Sequence, residues 1–94
     1  MRVRVLLRAK EQTREGTFSG ANAEQVVGAI QREAASRAGL LVRMAIIALS
    51  PLAFAREAVR LHNEQSGARH PLPNSCAEFL QAAIGAGLAE MLEP

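Results

Sequence analysis

The sequence has no aspartate, no tryptophan and no tyrosine, and its aromatic side chains are three phenylalanines, Phe18, Phe54 and Phe79. An Asp dyad, a Ser-His-Asp triad and a tyrosine acid are excluded, because each needs a residue type the chain does not contain. Stacking successive bases on several rings is nearly excluded as well, which argues against an RRM or an OB-type single-strand binder. Glutamate is the only side-chain carboxylate. The single cysteine, Cys76, can form no internal disulfide and no Cys-rich zinc site, and points to a reducing, cytoplasmic location. Lysine is almost missing too: Lys10 stands against ten arginines. In an alanine-rich chain this reads as GC-rich coding bias, with phosphate recognition as the competing explanation.

Long uninterrupted apolar runs are also scarce. Residues 1–10 alternate charged and apolar side chains, which is not a secretory signal. The window from Ala38 to Ala55 has membrane-like hydropathy, but Arg43 lies inside it, at a cost of about 2.5–3.5 kcal/mol at a bilayer centre. Ser50-Pro51 interrupts it again. The segment therefore reads as part of a protein core or a subunit interface, with no membrane partner.

What is present suits one folded unit. Ninety-four residues fit a single small α+β domain spanning 1–94, and 49% hydrophobic with 21% charged residues is a globular balance, not that of a disordered tail. Val3, Val5 and Leu7 alternate with Arg2, Arg4, Leu6 and Arg8, the period of a half-buried strand. Phe18 faces inward from a second short strand near 15–19, giving an N-terminal two-stranded β-hairpin. Such a ribbon is marginal alone and must pack on helices or be extended by another chain.

Three to four helices follow. Asn22 and Gln25 make a capping-box start, Val26, Val27, Ile30, Ala34 and Ala38 mark one face, and Gly39 stops the helix. Glu33 and Arg37 stand four apart on the outer face. Leu40 to Leu49 suits a buried strand or a buried helix; its Ala, Met and Leu content selects helix. Ser50 as N-cap and Pro51 at the first position begin the next helix, with Phe54, Ala55, Ala58, Val59 and Leu61 inward. Gly67, Pro71 and Pro73 make residues 65–74 an extended connection. Ser75 and Glu78 form a second capping box for a last helix carrying Phe79, Leu80, Leu88, Met91 and Leu92, with Gly85 and Gly87 as a weak point or break.

Three constellations have the residue types for chemistry. His62, Glu64, His70 and Cys76 are zinc-ligand types, and His62 to Glu64 spell H-x-E, but the deaminase signature needs P-C-x-x-C and Cys76 follows Ser75 with no second cysteine. His62 falls in a stripe with Ala55, Ala58 and Val59, which reads as a partly buried core histidine. Cys76 at a helix start has the makings of a thiol nucleophile with His70 as base, yet nothing orients that base, and an ordinary buried cysteine is the simpler reading. Arg2, Arg4, Arg8 and Lys10, with Arg14 in the turn, form a basic ribbon suited to phosphate or a major groove. The same residues serve as a solvated edge that resists aggregation, partly neutralised by Glu11 and Glu15.

These observations favour a non-catalytic module that works by self-association and protein–protein interaction, without metal or cofactor. Its expected oligomer interface is Leu41, Ile47, Leu49 and Phe54, since large apolar patches are rare on soluble monomers. The alternative is a nucleic-acid-binding regulator of antitoxin or repressor type, using the basic ribbon.

Overall fold

The computed structural model describes residues 1–9 and 12–94, and the side chains outside 7–14. Two strands, β1 (Arg2–Ala9) and β2 (Gln12–Ser19), are followed by helices α1 (Ala23–Ser36), α2 (Leu40–Ile47), α3 (Pro51–Ser66) and α4 (Cys76–Gly85), and the chain returns as a third strand, β3 (Ala89–Glu93). The architecture is α+β, as the sequence pattern predicts. β1 is the central strand of a three-stranded antiparallel sheet of order β2-β1-β3.

The alternation along β1 sets which face is covered. Val3 is fully buried, its cross-strand partner Phe18 is buried, and Val5 packs against the same cluster. Over this face lie Val26, Val27 and Ile30 of α1, Ala55 of α3, and Cys76 and Leu80 of α4. Burying Val3, Val26 and Val27 completely contributes about 1.5–3 kcal/mol each. β2 begins at Gln12, three residues before the expected second strand, because its polar residues continue the register set by Phe18 and Gly16 as far as Gln12 opposite Ala9.

Helix starts follow the sequence signals. Asn22, Ser50 and Ser75 each accept, through the side chain, from the N–H three residues on: Gln25 at 3.0 Å, Ala53 at 3.1 Å and Glu78 at 3.1 Å. In both capping boxes the return bond goes one residue further out than expected. Gln25 Oε1 accepts from Ala21 N at 2.8 Å and Glu78 Oε2 from Asn74 N at 2.7 Å. At the far end of α3, Gly67 adopts φ 72° and closes the helix with its N–H on the Asn63 carbonyl, a left-handed turn that glycine enters without a Cβ clash.

The last helix is where the structure departs from the sequence reading. Gly85 ends α4, Gly87 turns the chain at φ 76°, and Leu88, Met91 and Leu92 lie beyond the helix. Ala89–Glu93 pairs with β1 instead. Ala, Glu, Met and Leu are all good helix formers, so local preference is overridden by the open edge of β1. The hairpin is thus extended by its own chain.

The β1–β3 register carries one irregularity. Arg4 stands opposite Glu90 and Arg2 opposite Glu93: two residues apart on β1 but three on β3. Leu92 is the extra residue, a β-bulge that returns Glu93 to the face on which Glu90 already lies.

Candidate interaction surface

α2 has no buried residue. Leu41 is 82% exposed, Leu40 69%, and Met44 and Ile47 61% each. Helices in small domains are normally held by an apolar face. Polar contacts hold this one. Gln31, a buried side chain of α1, donates from Nε2 to the carbonyls of Ile46 at 2.7 Å and Leu49 at 2.8 Å, satisfying two acceptors at the end of α2. Arg43 points back across the helix, its Nε donating to the Ala35 carbonyl at 3.1 Å and its Nη2 to that of Ala38 at 3.4 Å. The only charge on α2 is therefore turned toward α1, and the leucines are left outside.

Of the expected interface residues, Leu41 and Ile47 are strongly exposed and Leu49 moderately so, while Phe54 is half-buried and packs against the core. Sequence reasoning did not single out Leu40 and Met44, which share the outer face of α2, or Gln31, which looks like an ordinary surface glutamine. The reading of α2 as a buried helix is corrected in the same way. Hydropathy favours burial of this segment, but Gln31 and Arg43 supply the attachment.

Between α2 and α3 runs an open groove of about 640 Å³. Val42, Ala45, Ile46 and Leu49 form one wall and Ala53 and Leu72 contribute to the other. Arg56, Glu57 and Arg60 stand along the α3 side, and their charges are engaged within the chain. Arg56 donates to the Pro73 carbonyl at 2.8 Å, and Arg60 bonds Glu57 and Glu64. The Arg60 guanidinium holds the Glu57 carboxyl below the usual range, chiefly by hydrogen bonding.

The basic ribbon has partners in its described part. Arg2 pairs with Glu93 at 3.2 Å and Arg4 with Glu90, both on β3. The candidate contacts Arg8, Lys10 and Arg14 have side chains outside the described residues.

His62 and His70 lie together at the surface, ring centroids 5.6 Å apart. The core-histidine reading is corrected: α3 buries only Ala55, and its second half, including Leu61 at 42% exposure, runs out along the surface. Asn63 fixes the approach, its Nδ2 donating to the His70 carbonyl at 2.9 Å and its Oδ1 accepting from His70 N at 3.1 Å. Among the described residues, no group of three or more His, Cys, Asp or Glu side chains is placed to share a metal ion. Cys76 is buried, and burial first, with the Glu24 charge second, pushes its thiol above the ordinary value, the opposite of what an activated nucleophile needs. No helix among the described residues is long and apolar enough to cross a membrane. Comparison with protein-family models, curated proteins and solved structures gave no match for this chain.

Proposed function

We propose that this chain is a non-catalytic interaction module that associates with itself through α2. The observation that carries the reading is the arrangement of that helix: its charged side chain and its terminal carbonyls are bonded to α1, while Leu40, Leu41, Met44 and Ile47 face outward. Displaying four large apolar side chains to water is unfavourable by roughly 25 cal/mol for each Å² left uncovered. Covering them is the gain that drives association. The described part of the ribbon, the competing surface, offers less, since Arg2 and Arg4 already face carboxylates and a phosphate would have to displace Glu93 and Glu90.

Sedimentation velocity or light scattering across the micromolar range tests the reading. A particle heavier than one 10.1 kDa chain, lightened by Leu41→Glu, is the expected result. A monomer at every concentration rejects it.

A further inference from the structure

We infer that the groove between α2 and α3 is the seat for the α2 helix of a second copy, each copy laying its Leu41–Met44 ridge into the other's groove about a two-fold axis near Ala45. The inference rests on the self-association proposed above and specifies its geometry.

Surface area is the first argument. The Cα radius of gyration is 12.5 Å, close to the roughly 12 Å of a compact chain this long. The accessible surface is nevertheless 6318 Å². A folded monomer of this mass typically exposes about 5,300 Å², so the excess is on the order of 1,000 Å². A standard protein interface removes about 800 Å² from each partner. The chain is compact in extent yet shows more surface than its mass requires, and Leu40, Leu41, Val42, Met44 and Ile47, each more than half exposed, are the large apolar part of that surface on α2.

Charge is the second. Along the groove, Arg56 and Arg60 already have oxygen partners inside the chain. An acidic or basic visitor would compete with those bonds, whereas an uncharged ridge leaves them intact. The outer face of α2 is such a ridge, because its one charged residue, Arg43, is bonded to α1.

The third is placement. Leu41 sits one helical turn before Ala45, so the ridge and the groove wall are adjacent on one helix. A two-fold contact requires this arrangement, since the surface that inserts and the surface that receives must belong to one self-complementary patch. Ala45, the small side chain between Leu41 and Leu49, lets the partner helix approach closely. The β3 edge is a poorer seat: its bulge at Leu92 interrupts the ladder, and an antiparallel copy would bring Glu90 of one chain toward Glu93 of the other.

The test is complementation. Leu41→Glu alters the ridge and leaves the groove intact; Val42→Lys alters the groove and leaves the ridge intact. Both positions are more than half exposed, so neither change disturbs the core, and circular dichroism verifies this. Each variant alone should raise the dissociation constant by about tenfold or more. Mixed in equal amounts, they should recover a heterodimer, because one wild-type ridge meets one wild-type groove and the new carboxylate meets the new ammonium. If Val42→Lys perturbs folding, Leu72→Lys, on the opposite wall of the groove, replaces it as the groove variant. A wild type that dimerises while the groove variant dimerises equally well, or while the mixture stays monomeric, overturns this geometry and leaves self-association standing. A monomeric wild type overturns both.

Discussion

Gln31 Nε2 lies 2.7 Å from the carbonyl oxygen of Ile46, and through that bond a buried side chain of α1 holds the end of a helix that buries nothing of its own. Replacing Gln31 with Leu keeps the apolar stem and removes the donor. The Leu49 carbonyl then loses the Gln31 donor and that of Ile46 keeps only the Leu49 N–H at 3.2 Å, at a cost in urea unfolding of about 0.5–1.5 kcal/mol for each bond lost. Hydrogen exchange should rise in residues 40–49 well before it rises in α1.

Two glycines should respond with opposite signs. A Cβ on Gly20 would fall 2.6 Å from Gln25 Cβ and 3.0 Å from the backbone N of Val26, neither of which can swing away. Gly20→Ala should destabilise by about 1–3 kcal/mol. A Cβ on Gly28 meets only Arg32 Nη1, at 3.6 Å, within a regular helix. Gly28→Ala should stabilise by up to about 1 kcal/mol, and paired thermal melts give the comparison directly.

Ser75 and Ser66 have similar side chains but different roles. Ser75 Oγ accepts from Glu78 N at the start of α4, so Ser75→Ala should cost about 0.5–2 kcal/mol. Ser66 Oγ donates back to the His62 carbonyl in an exposed last turn, and Ser66→Ala should change little. Equal losses in denaturant melts would show that the cap does not anchor α4.

Cys76 gives a pH dependence with a definite direction. Its folded thiol is raised above the ordinary value, so the unfolded chain ionises first as the solution becomes alkaline. The contribution is complete below the unfolded thiol's pKa and is lost as pH rises through the folded one. Cys76→Ser should flatten the alkaline limb of a stability profile, and an aromatic disulfide reagent should label the native thiol only as fast as the chain opens. Rapid labelling at neutral pH would mean the side chain is reachable.

On β3, Glu90 and Glu93 occupy Arg4 and Arg2. Neither guanidinium should therefore contribute to salt-sensitive binding of duplex DNA by the wild type. Glu90→Gln with Glu93→Gln frees both guanidinium groups and should cost only about 0–1 kcal/mol for each exposed pair. Weak binding should then emerge, its logarithmic salt slope rising by roughly 0.9 for each phosphate engaged. Tight binding by the unaltered chain would favour the ribbon over α2 as the working surface.

The parts of this fold legible in sequence are those whose causes are local. Asn22, Ser50 and Ser75 announce helix starts because a short oxygen side chain reaches an N–H three residues away, and Val3 and Phe18 announce the hairpin because strand alternation has period two. Residues 89–93 give no such warning. Their strand state depends on a hydrogen-bonding edge more than 80 residues earlier, and alanine, glutamate, methionine and leucine favour a helix until that edge is considered. Gln31 and Arg43 were illegible for a related reason: a polar residue on a predicted helix looks solvated, and only the position of a second helix shows that it serves as a bracket. The apolar face of α2 was visible in composition, although its exposure depends on that bracket.

The pairing of β1 with β3 also determines how the domain answers mechanical force. Because the strands are antiparallel and begin their ladder at Arg2 and Glu93, tension applied at these two residues pulls on the open end of a zipper. The load falls on one rung at a time, in the order Glu93, Met91, Glu90, Ala89, and is never shared across the strand as in shear. Once β3 has peeled, Val3 loses cover on one side and the sheet reverts to a two-stranded ribbon, which is marginal alone. Pulled at Arg2 and Glu93, this domain should yield at low force, from the sheet first, with the helices and the α2 surface still assembled.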